Sequence, residues 1–205
     1  MAKTLLLLRH AKSSWKDHSL ADKKRPLKPS GELAAATVGE ILKENELIPQ
    51  LILSSPAVRA SQTAELVVKH SGYPGKIELV DSFYMGEPAD FYAYLQTLDD
   101  ALERVMIVGH NPGLEAFLQV LDGKIEVLST ASLAYVELEL DHWKDFQHTT
   151  LANLIGFWDS DSPHFKEVES RLKQEEKAQK EETMAKEKQE KKEKKEKKEK
   201  KGKKK

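Results

Sequence analysis

The sequence predicts an α/β layer fold with a mostly parallel sheet, an edge strand and a charged C-terminal tail. Three observations carry this expectation. Short apolar runs alternate with stretches of helical period, the pattern of strands joined by crossover helices. The first runs are apolar at every position, as in strands covered on both faces. The apolar residues also stop near Phe165: of 80 in the 205-residue chain, only five lie beyond it.

The elements follow in order. Residues 4–8 are a wholly apolar strand run apart from Thr4, and Arg9-His10 stops it. Residues 11–29 are polar, with two Pro, and read as a long loop; loops of that length in compact domains usually carry function. Ser30-Gly31-Glu32 opens a helix to about Asn45, with Leu33, Thr37, Val38, Ile41 and Leu42 on its inner face. Residues 51–53 form a second strand, ended by Ser54-Ser55-Pro56. The next helix buries Ala60, Thr63, Ala64, Val67 and Val68 at i, i+3, i+4, i+7 and i+8, and Gly72 and Pro74 close it.

Residues 77–80 are a third strand, and Phe91, Tyr94, Leu95 and Leu98 mark a helix over residues 88–98. Residues 105–108 make a fourth strand, ended by Gly109-His110. Asn111 suits an N-cap and Pro112 the first helical position. Leu114, Phe117, Leu118 and Leu121 stripe that helix, and Gly123 ends it in the left-handed conformation. Residues 133–140 alternate apolar and polar with a slip after Tyr135, which predicts a half-exposed strand near an edge. Residues 151–157 add a last strand.

Charge divides the chain in two. Residues 166–205 hold 18 Lys+Arg against 11 Asp+Glu, a net +7; residues 1–165 hold 15 against 23, a net −8. The predicted organisation is a domain over residues 1–165 and a Lys/Glu-rich tail over 166–205. The tail cannot build a core. It is either disordered or a lone helix helped by pairs such as Glu193–Lys197 and Glu196–Lys200. Its positive charge suits an anionic partner: RNA, an acidic protein or an anionic membrane surface. No specific nucleic-acid motif is present. The absence of Cys excludes disulfides and Cys-based zinc sites. Without a run long enough to span a bilayer or serve as a signal core, the expected location is cytoplasmic.

Chemistry concentrates at three strand ends: Arg9-His10 after the first, Ser55 to Arg59 after the second, His110 after the fourth. Ligands of open α/β sheets bind at the carboxyl ends of strands. Two His and two Arg converging there suit phosphoryl transfer. An imidazole can hold phosphorus covalently, and guanidinium forks grip the non-bridging oxygens. A second imidazole adds charge when protonated, so activity should fall at high pH as His110 loses its proton. Arginine is sparse in residues 1–165, where Arg9, Arg25, Arg59 and Arg104 are the only four. A metal site is disfavoured, because His-x-x-x-His spacing is absent and neighbouring Arg would repel a cation.

Arg9-His10-Ala11-Lys12-Ser13, Arg25-Pro26-Leu27, Ser54-Ser55-Pro56-Ala57-Val58-Arg59-Ala60-Ser61-Gln62-Thr63-Ala64 and Val108-Gly109-His110-Asn111-Pro112 together resemble the histidine phosphatase superfamily. Within it they resemble the small SixA-type phosphohistidine phosphatases. The resemblance spans roughly residues 3–157. It implies a phosphoglycerate-mutase-like three-layer αβα sandwich with no metal and no cofactor. It implies that His10 is the nucleophile, that Arg9, Arg59 and His110 complete a phosphate pocket, and that Ser13 sits at its rim. Asp22 matches an acidic position in some SixA-type sequences and is a candidate proton donor; Glu87, in a Gly-Pro-flanked loop, is its rival. The implied partner is a phosphorylated protein, since no large insertion covers the site.

The function expected from this reading is hydrolysis of protein phosphohistidine through a phosphohistidine enzyme intermediate. Two alternatives stand beside it. One is a phosphomonoesterase acting on small molecules or on Ser, Thr or Tyr phosphoesters. The other is a non-catalytic module that recognises phosphate.

Overall fold

In the computed structural model, residues 3–123 and 127–202 are described, with side chains to residue 186. Strand β1 (Lys3–Arg9) is buried along nearly its whole length, which explains why its sequence does not alternate. Next to it lie β4 (Arg104–Gly109), parallel, and β5 (Leu133–Leu138), antiparallel. Adding β2 (Leu51–Ser54), β3 (Ile77–Leu79) and β6 (Ala152–Trp158) completes one six-stranded sheet in the order β3-β2-β4-β1-β5-β6. The four strands β3, β2, β4 and β1 are parallel.

Helices cover both faces. On one, Leu5, Leu7, Val105 and Ile107 pack with Phe91 and Leu95 of α3 (Pro88–Leu95) and with Leu114, Phe117 and Leu118 of α4 (Gly113–Asp122). Alternate residues Leu6, Leu8, Met106 and Val108 are equally buried. They point to the opposite face by the period of two, where α1 (Pro29–Glu44) packs on α2 (Val58–Ser71). The result is the three-layer α/β fold with a mixed sheet.

Differences from the sequence reading have local causes. Strand β5 lies near an edge as expected, next to the edge strand β6, but its residues are buried or half-buried because β1 and β6 flank it. The pairing of β5 with β6 shifts register between Tyr135 and Val136, where the alternation slips. Helix α3 ends at Leu95, short of the expected residue 98. Helix α4 begins at Gly113 with Pro112 at its cap, so Asn111 is not the N-cap. The Asn111 amide instead donates to the Leu128 carbonyl at 2.9 Å. Gly123 does close this helix in the left-handed region, at φ 73°.

By its contacts the chain divides into two units, residues 1–169 and 170–205. Helix α5 (Pro163–Gly202) starts in the first unit, where Phe165 and Val168 are buried and His164 Nε2 meets Glu44 Oε2 at 3.0 Å. In the second unit exposed pairs such as Lys180–Glu176 (3.5 Å) and Lys186–Glu182 (2.6 Å) decorate the helix; each is worth little alone. The expected pairs Glu193–Lys197 and Glu196–Lys200 lie outside the described side chains. Among the described residues no helix is long and apolar enough to cross a membrane.

Candidate active site

Parallel pairing aligns the carboxyl ends of three strands. Arg9 is in register with Gly109, and Ser54 with Val108. The next residues continue the ladder: His10 N–H donates to the Gly109 carbonyl at 3.0 Å, and Ser55 N–H to that of Val108 at 2.9 Å. The backbone therefore sets His10, Ser55 and His110 side by side. Ala131 N–H, from a residue held at φ 64°, reaches the carbonyls of both Arg9 and His10 at 3.2 and 3.3 Å. A left-handed non-glycine residue costs about 1 kcal/mol, and here it pins the strand end that carries His10.

The tautomer of His10 follows from its two partners. Nδ1 lies 2.8 Å from the Ala11 carbonyl, which can only accept. Arg59 Nε–H donates to Nε2 across 3.2 Å, and a guanidinium can only donate. The proton is thus on Nδ1 and the lone pair on Nε2. Burial, opposed by the Ala11 bond and reinforced by the charges of Arg59, Arg9 and Arg25, depresses the His10 pKa to about 4. The ring is neutral at pH 7.

The His110 ring sits 4.9 Å from that of His10, centroid to centroid. Its Nε2 is 2.8 Å from Ser55 Oγ, which also accepts the Ala57 N–H at 3.3 Å. A hydroxyl that accepts one hydrogen bond can still accept a second or donate its own hydrogen, so this contact joins Ser55 to His110 in either tautomer of the ring. The Nδ1 of His110 is buried and has no hydrogen-bond partner. Burial, then the neighbouring His10 and Arg59, push the His110 pKa down to about 3. These influences favour the neutral ring and run against the expected protonated His110.

Asp22 ties the constellation together. Its Oδ2 accepts from Arg59 Nη2 and from the Tyr84 hydroxyl, both at 3.0 Å, and its backbone carbonyl takes Arg59 Nη1 at 2.8 Å. Its Oδ1 takes Arg25 Nη1 at 2.8 Å. Partial burial would raise its pKa, but the hydrogen bonds from Arg25 and Tyr84 and the Arg59 charge prevail and hold it at about 2. Such an anion does not donate protons, so the environment runs against the expected donor role of Asp22. Its rival Glu87 is occupied in a reciprocal capping box with Asp90 at the start of α3.

Ser13 is drawn to Arg25, not to the imidazoles: its Oγ accepts Arg25 Nη2 at 2.8 Å. Arg25, buried itself, also donates Nε–H to the Ser14 carbonyl at 3.0 Å and stacks under the exposed Trp15 ring at 3.2 Å. With a short bridge between Ser13 and Leu27, this folds the 11–29 loop back on itself. Arg9 sends Nη1 to the Leu128 carbonyl at 2.6 Å, while its buried Nε has no partner. Among the described residues no three metal-ligating side chains of His, Asp or Glu gather anywhere.

Several participants escaped the sequence reading. Tyr84 stands edge-on to His110 at 5.7 Å while holding Asp22; nothing local marks it. Thr63 lies on the inner face of α2, as its spacing predicts. It is buried there, but its Oγ1 accepts the Ala11 N–H at 3.0 Å and donates to the Arg59 carbonyl at 2.6 Å. Glu115 accepts the Leu128 N–H at 2.9 Å, fixing the segment that Arg9 grips.

Comparison with known proteins agrees with this architecture. Residues 5–82 match the sequence profile of the histidine phosphatase superfamily (branch 1). An uncharacterized chloroplastic protein of Arabidopsis thaliana is 34% identical over 157 residues, covering 71% of each chain. The protein from Agrobacterium tumefaciens assigned as the phosphohistidine phosphatase SixA is structurally similar, with a TM-score of 0.67 and 25% identity over 78% of this chain and 99% of that one. A phosphoglycerate mutase from Bacillus anthracis shares the fold, with a TM-score of 0.61 and 17% identity over 82% and 97% of the two chains. The chain belongs to the histidine phosphatase superfamily, whose members are phosphatases or mutases.

Proposed function

We propose that this protein is a metal-independent phosphatase that removes the phosphoryl group from phosphohistidine in proteins, by way of a covalent phosphate on His10. The observation that carries the reading is the His10 ring, with its Nδ1 proton held by Ala11 and its Nε2 lone pair turned towards Arg59. That is the state an imidazole nucleophile needs.

In the proposed reaction the Nε2 lone pair attacks phosphorus as the bond to the leaving group breaks. Arg59 must give up its bond to Nε2 and turn its N–H groups to the phosphoryl oxygens. Arg9 Nε–H, buried and unpartnered, supplies a further donor, and the buried, unpartnered Nδ1 of His110 supplies another in the tautomer that carries its proton there. Donors fixed in advance are the main source of rate in such transfers. Water then attacks phosphorus, the P–N bond breaks, and the electron pair returns to Nε2. The Nδ1 proton stays on the ring throughout, so no acid is needed for this half.

The test is a panel of substrates: a phosphohistidine peptide, phosphoserine and phosphotyrosine peptides, and small phosphate esters. The proposal expects the phosphohistidine peptide to show the highest kcat/KM. Comparable turnover of esters would transfer the assignment to a phosphomonoesterase.

A further inference from the structure

Arg59 spans the site with a single guanidinium, from His10 Nε2 at one side to Asp22 Oδ2 at the other. The carboxylate thus lies one guanidinium's reach from the nucleophile. Its side chain is 43% exposed, whereas that of Arg59 is 6% exposed. Asp22 is the part of this chain of contacts that an arriving group meets from solvent. Its Oδ1 accepts a hydrogen bond from Arg25, and a carboxylate oxygen has room for a second. The two acids singled out in the sequence are both committed, Glu87 to its capping box and Asp22 to cations and Tyr84. Asp22, held as an anion by these partners, offers no proton to a departing oxygen.

We infer that Asp22 selects the leaving group: its carboxylate accepts the N–H of a departing imidazole, so the site favours protonated phosphoramidates over phosphate esters. This rests on the reading of His10 as the nucleophile for phosphohistidine. In the substrate ring one nitrogen carries phosphorus and the other a proton. His10 Nε2 forms its bond to phosphorus, the substrate P–N bond breaks, and its electron pair returns to the substrate ring. The ring leaves as neutral imidazole, keeping the proton that Asp22 held. Asp22 therefore does for the substrate ring what the Ala11 carbonyl does for His10, and both halves of the reaction proceed without an acid. An ester gains nothing from this carboxylate, because its leaving oxygen bears no hydrogen.

The experiment compares wild type, Asp22→Asn and Asp22→Glu on two substrates, a phosphohistidine peptide and p-nitrophenyl phosphate. The second needs no acid and offers no N–H. Asp22→Asn lowers kcat/KM for both, since Arg59 loses an ionic partner. The inference expects the loss on the phosphohistidine peptide to be larger by about tenfold or more, the scale of a hydrogen bond to a charged group. Asp22→Glu should recover part of that preference. Equal fold-losses on the two substrates in an enzyme active on phosphohistidine would overturn the inference alone, leaving Asp22 as a positioning residue for Arg59. Wild-type protein inert towards the phosphohistidine peptide would overturn the functional reading, and the inference with it.

Discussion

The Nε–H of Arg59 points at Nε2 of His10 from 3.2 Å, so the cation closest to the nucleophile rests on the lone pair that must attack. Its other nitrogens are held by Asp22. Arg59 is thereby oriented in advance and has a short path to the phosphoryl oxygens. Arg59→Ala should lower kcat by about a hundredfold to a thousandfold, the usual cost of a lost oxyanion donor. Arg59→Lys should restore little, because an ammonium cannot form the planar fork. Steady-state kinetics on a phosphohistidine peptide checks both. Full recovery by Lys would show that only charge matters at this position.

Protonation sets an acid limit. Burial and the surrounding guanidinium groups lower the His10 pKa from 6.5 to about 4, and a proton on Nε2 blocks attack. The kcat/KM profile should therefore hold as pH falls to 5 and decline through about 4. No alkaline limb should arise from His110, because burial keeps its ring neutral across this range. An activity loss near pH 6.5 that disappears in His110→Gln, with residual activity retained, would contradict this.

The same shifts govern stability. Both histidines have folded pKa values below the ordinary 6.5, about 4 for His10 and about 3 for His110. Between those limits the unfolded chain binds more protons, so stability falls as pH drops below 6.5. Above 6.5 the two groups have no effect. Asp22 acts lower, its contribution being lost as pH falls from 3.8 through about 2. Urea midpoints should drop between pH 7 and pH 5, and the double variant His10→Gln, His110→Gln should flatten that slope. An unchanged slope would mean that other groups are responsible.

What the sequence made legible was periodic or contiguous. The apolar run of β1 and the helical stripe of α4 are read directly, because burial on one or both faces dictates residue type at every position. The slip after Tyr135 corresponds to a register shift in the β5–β6 pairing. Contacts made across long separations were not legible. Tyr84 and Asp22 are 62 residues apart, and Thr63 and Ala11 are 52 apart; no local pattern requires either pair. Asn111 misled for a related reason: its composition suits a cap, but a distant carbonyl claims its side chain. His110 is legible from its strand end, yet its preference for the neutral ring depends on burial and on the nearby His10 and Arg59, which are tertiary facts.

Close packing supports the strand end that bears His10. A Cβ on Gly31 would stand 2.2 Å from the Lys12 carbonyl oxygen and 2.9 Å from its nitrogen. Both are backbone atoms, two residues past His10, and the same carbonyl accepts the Lys28 N–H at 2.9 Å. Gly31→Ala should cost about 1–3 kcal/mol of stability, the range for overpacking, and should lower kcat as the loop shifts. Chemical denaturation together with kinetics measures this. A variant of wild-type stability would show that α1 can retreat freely.

Covalent catalysis by His10 requires a bond from its Nε2 to phosphorus. Enzyme mixed with a labelled phosphohistidine peptide, quenched within milliseconds in alkaline denaturant to preserve the P–N bond, and digested should yield one labelled peptide carrying phosphate on His10. His10→Ala protein should yield none and be inactive. Label on another residue, or hydrolysis undiminished in the His10→Ala protein, would contradict the account.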